Sequence, residues 1–254
     1  MKKILCAVAA SVLALSMLAG CGNTAKKEIA TKDDLKDAKI AVQEGTTGDI
    51  LVTEDYPEAT VSRFKSALDA GMDLSNGKVD AVVLDELPAK KIVEKNDKLQ
   101  ILPEELTTEE YAIAIKKGNT ELVEKVNKAL ADMKADGTFD KISAAFISED
   151  EAALKELAAK EEPTGAETLI MGTNASFPPF ETRDDAGEVV GFDVEMAKEI
   201  ARRLGMSFKV EDMNFDSLPV AVDSGKITVT DERKENMDFS DGYYTSTQVI
   251  ITQK

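Results

Sequence analysis

The chain has no histidine and no tryptophan, and only two of its 254 residues are cysteine. Without histidine there is no imidazole base, no Ser-His-Asp triad and no imidazole metal ligand. Aromatic side chains are sparse, with nine Phe and four Tyr. Basic residues are in deficit: 31 Lys plus Arg face 48 Asp plus Glu, a formal net charge of −17. A phosphate backbone repels so acidic a chain, which excludes nucleic acid as a partner. What remains is 43% hydrophobic and 31% charged, too apolar for wholesale disorder and long enough for one large domain or two small lobes.

The first residues read as an address. Lys2 and Lys3 precede a short apolar run over 4–18, which suits a secretory leader better than a membrane-spanning helix. Leu18-Ala19-Gly20-Cys21 resembles the bacterial lipobox, where cleavage before the cysteine leaves its thiol to carry diacylglycerol. The alternative is an ordinary secretory signal cut nearby. Under the lipobox reading Cys6 is lost with the leader, and Cys21 is lipidated. No intrachain disulfide or thiol nucleophile is then left. Residues 21–36 are small and polar and read as a flexible tether.

Beyond the tether, β-like and helical segments alternate. Strands are expected at 39–43, 60–64, 79–84, 99–102 and 111–116, with helices opening at Ile50, Ser66 and Pro88. Asn119 should cap a helix over 120–136 that Gly137 closes. Residues 149–167 are Ala/Glu/Lys-rich and end in Pro-Thr-Gly, a solvent-exposed helical spacer and a boundary. A second unit then brings a strand at 168–172, a helix to Leu204 capped by Asp193, a strand at 207–211, a helix over 216–224 and a strand at 245–252. The alternation predicts an α/β fold with a largely parallel sheet.

One echo within the chain is incomplete. Asn76-Gly77-Lys78-Val79-Asp80 leads into the apolar run 81–84, whereas Ser224-Gly225-Lys226-Ile227 goes directly to Thr228-Val229-Thr230-Asp231. The second helix lacks the strand that the first one feeds.

The stretches 171–181 (MGTNASFPPFE), 191–206 (GFDVEMAKEIARRLGM), 215–227 (FDSLPVAVDSGKI) and 228–244 (TVTDERKENMDFSDGYY) resemble the first lobe of the solute-binding proteins of polar and basic amino-acid ABC importers. Residues 34–50, 64–89 and 129–142 resemble the second lobe and closing helices of the same family. The resemblance implies a two-lobed fold of the periplasmic-binding-protein type, each lobe a mainly parallel sheet flanked by helices, with hinge strands between. Residues 37–112 would form the second lobe and 113–148 the hinge return and closing helices of the first. Residues 149–167 would be the spacer, 168–244 the first lobe and 245–254 a hinge strand toward the second. The order is that of a circular permutation, with breaks in surface connections that tolerate it. After Gly-Lys-Ile about seven residues of the family pattern, carrying a central strand, have no counterpart, so a weakened or altered site is expected.

The resemblance also implies the roles of particular residues. Arg233 would take the carboxylate of a free amino acid with its guanidinium fork, and Asp85 would take the ammonium. Asp85 follows a buried strand, where α/β ligands bind, though an N-cap role is also open to it. Gly45, Thr46 and Thr47 would offer amides and hydroxyls to the anion, Thr47 most directly. Thr228 would add a hydroxyl, and Phe177 and Phe215 would wall the ligand side chain. Asn174 stands where basic-amino-acid binders often carry an acid, which favours an uncharged polar ligand. Gln248 and the Tyr243-Tyr244 pair would belong to the hinge without touching ligand. The expected function is a lipid-anchored, monomeric receptor on the outer face of the cytoplasmic membrane. It would use no cofactor and would deliver its amino acid to an ABC importer permease. The alternatives are a non-binding relic lipoprotein and, more distantly, a dehydratase-like enzyme on the same fold.

Overall fold

The computed structural model describes residues 27–221 and 224–254; the leader, Cys6 and Cys21 lie outside the described residues. The protein is α/β. In its first part, strands β1 (Lys39–Gln43), β2 (Thr60–Phe64) and β3 (Ala81–Asp85) alternate with helices α1 (Thr47–Asp55), α2 (Ala67–Ser75) and α3 (Glu86–Glu94). β1 pairs in parallel with β2 on one side and β3 on the other. The pleat sends Ile40 and Val42 into a core with Leu35, Val83 and Ile250, while Ala41, Val82 and Leu84 join the core under α2 and α3. A strand buried on both faces reads as a continuous apolar run, which is why 81–84 is so uniform.

β4 (Leu99–Lys116) is a single strand of 18 residues, not the two strands expected at 99–102 and 111–116. It pairs antiparallel with β12 (Tyr244–Gln253), from Gln253 opposite Leu99 to Tyr244 opposite Tyr111. Backbone pairing carries both strands through polar residues that break the apolar pattern, with register shifts on either side of Val249. These two strands form the hinge.

After β4 come α4 (Thr120–Ala135), α5 (Thr138–Phe146) and α6 (Glu151–Ala158). The Asn119 side chain accepts from Leu122 N at 3.3 Å, and Gly137 takes φ 80° beyond the end of α4. α6 is fastened more firmly than an exposed spacer. Leu157 is buried in the main core, Lys141 reaches Glu156 at 2.6 Å, and Lys160 reaches Glu199 at 3.0 Å.

The remaining elements are β5 (Thr168–Thr173), a small sheet of β6 (Ser176–Phe177), β7 (Glu181–Arg183) and β8 (Val189–Val190), then α7 (Phe192–Leu204) and β9 (Ser207–Asp212). They continue with α8 (Leu218–Ala221), β10 (Ser224–Thr228), α9 (Asp231–Asn236) and β11 (Met237–Phe239). The large sheet runs β2-β1-β3-β12-β4-β10-β5-β9, with β11 also against β4. The cap of α7 is Gly191, at φ 144°, and not Asp193, which lies buried in the first turn and accepts from Tyr243 Oη at 3.1 Å.

Two further expectations change. Of the helix expected over 216–224, the described residues carry a 3-10 turn at Phe215–Ser217 and α8 at Leu218–Ala221. The residues that follow form β10, between β4 and β5, with Ser224 opposite Ile115 and Thr228 opposite Tyr111. A gap there would leave the backbone donors and acceptors of two central strands unpaired. Gly225 disfavours helix and the run Ile-Thr-Val-Thr favours strand, so these residues fill the place in the sheet. At the other end, residues 27–36 are not a loose tether. Ile29 and Leu35 are buried against the second lobe, and Lys32 N donates to Glu104 Oε2 at 2.6 Å.

Candidate functional site

The cavity of interest lies between the lobes and is bordered by the ends of β1, β3 and β10, the start of α1, and the segment after β5. Gln43, Thr46, Thr47 and Asp85 line it from the second lobe; Asn174, Phe177, Glu181, Phe215 and Thr228 line it from the first. Tyr111 completes the lining from the hinge. The free space in the cavity is about 30 Å³, room for roughly two waters at about 10–15 Å³ each. The lobes are closed on one another around it.

Asp85 ends β3 and is almost fully buried. It stands at the N-cap position of α3 but makes no side-chain capping bond there. Its Oδ1 accepts from the Tyr111 hydroxyl and from Ser246 Oγ at 3.0 Å, and its Oδ2 accepts from Gln248 Nε2 at 2.8 Å. Burial, and then the Asp85 charge, hold the Tyr111 phenol well above its ordinary pKa.

Arg233 sits in the first turn of α9, with its guanidinium near the Phe215 ring, 5.8 Å from the centroid. Nη1 donates to Thr228 O at 2.9 Å and Nη2 crosses to the second lobe to donate to Gly45 O at 2.8 Å. The fork is thus turned onto two backbone carbonyls in a depression beside the cavity, lined also by Gly45, Asp216 and Glu232. Burial lowers its pKa against the opposing pull of Glu109, Glu232 and Asp85.

The Gly-Thr-Thr turn differs from expectation in detail. The Gly45 amide is spent on Asp49 Oδ2 at 3.0 Å, so this residue faces the cleft with its carbonyl. Thr46 caps α1: its hydroxyl donates to Gln43 O at 2.8 Å and accepts from Asp49 N at 3.4 Å. Thr47 fits the anion-binding role best, because its buried hydroxyl has no hydrogen-bond partner and lines the cavity. The lone acceptor-donor of the turn therefore lies at the first helical position, where backbone amides are also unpaired within the helix.

Asn174 is fully engaged. Its Oδ1 accepts from Gln43 Nε2 at 2.9 Å, across the cleft, and from Ser176 Oγ; its Nδ2 donates to Met213 O at 2.9 Å. The amide thus holds the lobes and the loop, and the argument from Asn174 to an uncharged ligand loses its footing. An acid, Glu181, lines the same cavity. Thr228 ends β10 and donates to Glu109 Oε2 at 3.1 Å. Phe177 is buried against Phe180, while Phe215 is half-buried under Arg233.

Five residues near the site escaped sequence reasoning: Gln43, Glu109, Tyr111, Glu181 and the Asp85 contact of Gln248. Gln43 ends one expected strand and Tyr111 opens another, and neither segment carries a local sign of a ligand. Glu109 lies in the polar hinge stretch of β4, buried beside Asp85, and burial followed by that neighbour raises its pKa. No local pattern sets it apart from the neighbouring acids Glu104, Glu105 and Glu110.

The profile of the bacterial extracellular solute-binding proteins, family 3, matches residues 24–149 and 169–254. The arginine-binding extracellular protein ArtP of Bacillus subtilis is 43% identical over 98 residues, 36% of this chain and 38% of ArtP. The ABC transporter glutamine-binding protein GlnH of the same organism is 33% identical over 117 residues, 46% of this chain and 43% of GlnH. The chain thus spans less than half the length of these curated relatives in each alignment. The solved arginine-bound form of truncated ArgBP from T. maritima is 46% identical over 30% of this chain and 40% of its own, with a TM-score of 0.29.

Proposed function

The chain belongs to the bacterial extracellular solute-binding proteins, family 3, and from that premise we propose that it is a receptor for a free polar amino acid with a cationic side chain. The observation that supports this reading is that Asp85 and Arg233 stand on opposite lobes, Asp85 lining the buried cavity and Arg233 in the depression beside it, against the Gly45 carbonyl. A zwitterion needs an anion for its ammonium and a guanidinium fork for its carboxylate. On opening, Arg233 leaves the Gly45 carbonyl; on closing over ligand it exchanges that neutral acceptor for a carboxylate. Thr47 adds its unpaired hydroxyl, and Phe177 and Phe215 flank the side chain. Hinge closure on β4 and β12 buries the ligand.

The charge count favours a cationic side chain. Asp85, Glu109 and Glu181 are all buried near the cavity, against the single guanidinium of Arg233. A neutral zwitterion occupies Arg233 and Asp85 and leaves the excess of acids over cations at the cavity unchanged, whereas a cationic side chain reduces it. A lysine- or arginine-like ligand offsets one of these acids. ArtP of B. subtilis, by its name, binds arginine.

The wider setting is proposed on the same footing. Cys21 carries the lipid, and the protein acts as a monomer at the outer face of the cytoplasmic membrane, handing its ligand to an ABC importer permease. The chain order is a circular permutation. In support, the family profile matches in two stretches separated by the α6 segment, and residues 27–30 border the same surface depression as residues 252–254.

A thermal-shift screen of the full chain against the twenty common amino acids at millimolar concentration tests the reading. Ligand at 100 times its dissociation constant stabilises by about 2.7 kcal/mol, a midpoint rise of about 5–10 °C for a protein of this size. Arginine and lysine are expected to give it. A shift with neutral amino acids alone overturns the charge argument and keeps the receptor. A cooperative melt that none of the twenty moves points to the non-binding relic.

A further inference from the structure

Asp85 belongs to the second lobe by sequence and strand, yet every side-chain donor it accepts comes from the hinge. Tyr111 stands on β4, and Ser246 and Gln248 stand on β12. All three donors are uncharged. This matters because a lysine or arginine partner would both orient the carboxylate and cancel its charge. Neutral donors fix its plane and leave the charge available. A carboxylate has about four lone-pair directions; three are occupied, and one remains for a donor arriving from the cavity.

The surroundings maintain this arrangement. Gln248 is fully buried and sits at the register shift of β12 against β4. Room for its amide is kept by Gly48, where a Cβ would lie 2.7 Å from Gln248 Oε1. The ring of Tyr111 packs edge-on against Phe180 of the first lobe, 5.4 Å between centroids, and beside Tyr244 at 5.7 Å. The hydroxyl that orients Asp85 is therefore rigidly joined to the lobe that closes over it.

We propose that Tyr111, Ser246 and Gln248 are positioning residues, hinge-borne neutral donors that aim the Asp85 carboxylate at the ligand's α-ammonium and tie that charge to the hinge. The proposal rests on the amino-acid receptor reading above. It predicts that the three side chains matter for the ammonium and not for the rest of the ligand.

The test uses the full chain and two probes, L-arginine and 5-guanidinopentanoate, which is arginine without its α-amino group. The wild type is expected to prefer arginine about 100-fold or more. Tyr111→Phe removes one hydroxyl and keeps the ring; the loss of one hydrogen bond to a charged group should weaken arginine about 5–10-fold and leave the analogue unchanged. Ser246→Ala should act in the same direction, and it provides the measurement if Tyr111→Phe does not fold. Equal weakening of both probes, or an unchanged preference in the folded variants, overturns the proposal, since a merely structural role would give that result. A wild type that binds neither probe contradicts the receptor reading itself and removes the basis of this one, an outcome distinct from an unchanged preference.

Discussion

Lys65 Nζ lies 2.9 Å from Asp216 Oδ2, and the two residues stand on opposite lobes at the mouth of the cleft. The same ammonium is held at 2.6 Å by Glu44 of its own lobe, a partner placed by the bond from Glu44 N to Phe64 O at 2.9 Å. Lys65 is thus oriented by one carboxylate and reaches the other only when the lobes are closed.

All three side chains are partly exposed, so the pair contributes little and is sensitive to salt. In Asp216→Asn, arginine should dissociate about two- to five-fold faster at low salt, with association little changed. At about 1 M salt, where the screening length is roughly 3 Å, the two proteins should release arginine at the same rate. Stopped-flow measurements at both salts check this; an equal ratio of rates at low and high salt speaks against an electrostatic latch.

Glu109 gives a pH signature. Burial and the Asp85 charge raise its pKa in the folded state, so the folded protein holds this proton more tightly than the unfolded chain. Its contribution is then most favourable at low pH and is lost as pH rises from the ordinary glutamate range through the raised value. Glu109→Gln removes that titration. The melting midpoint of the variant minus that of the wild type should grow between pH 4 and pH 7 without ligand, and a difference independent of pH would contradict the placement of Glu109 beside Asp85.

Gly48 is a position where volume decides. A methyl group there would meet Gln248 Oε1 at 2.7 Å and Val83 O at 3.2 Å. Gly48→Ala should cost about 1–3 kcal/mol of stability through overpacking, read by chemical denaturation, and should also weaken arginine by displacing the Gln248 amide from Asp85. Full stability and affinity in this variant would show that the hinge contact is looser than described.

The segment joining the two family-like halves makes a separate prediction. Leu157 of α6 is 3% exposed within the main core. Leu157→Ala should destabilise by about 2 kcal/mol, the low end for a buried leucine, lowering the midpoint by about 4–8 °C. A passive spacer would show no change.

Legibility varied with how local the determinant was. The helix from Thr120 could be read because its cap, apolar stripe and closing glycine all lie in the sequence window that forms it. Asp85 could be placed at the sheet edge because a uniformly apolar strand precedes it. β4 was misread as two strands since its hinge residues are polar and owe their extension to pairing with β12, more than a hundred residues away. Residues 225–228 read as running directly past a missing strand, and only the place between β4 and β5 makes them β10. Around the cavity, Asp85 and Thr47 line it and Arg233 lies beside it, positions that the sequence motifs suggest, whereas the engagement of Asn174 by Gln43, Ser176 and Met213 and the burial of Glu109 depend on tertiary neighbours that no window contains.

The central claim, that Asp85 and Arg233 clamp one amino acid between the lobes, is tested most directly by calorimetric titration of L-arginine into the full chain and into Asp85→Asn and Arg233→Met. Removing one partner of a buried charge pair typically costs about 3–5 kcal/mol, so each variant should bind at least about 100-fold more weakly than a wild type that takes up one arginine per chain. A wild type with no heat of binding, or variants that bind as tightly as it does, would contradict the account.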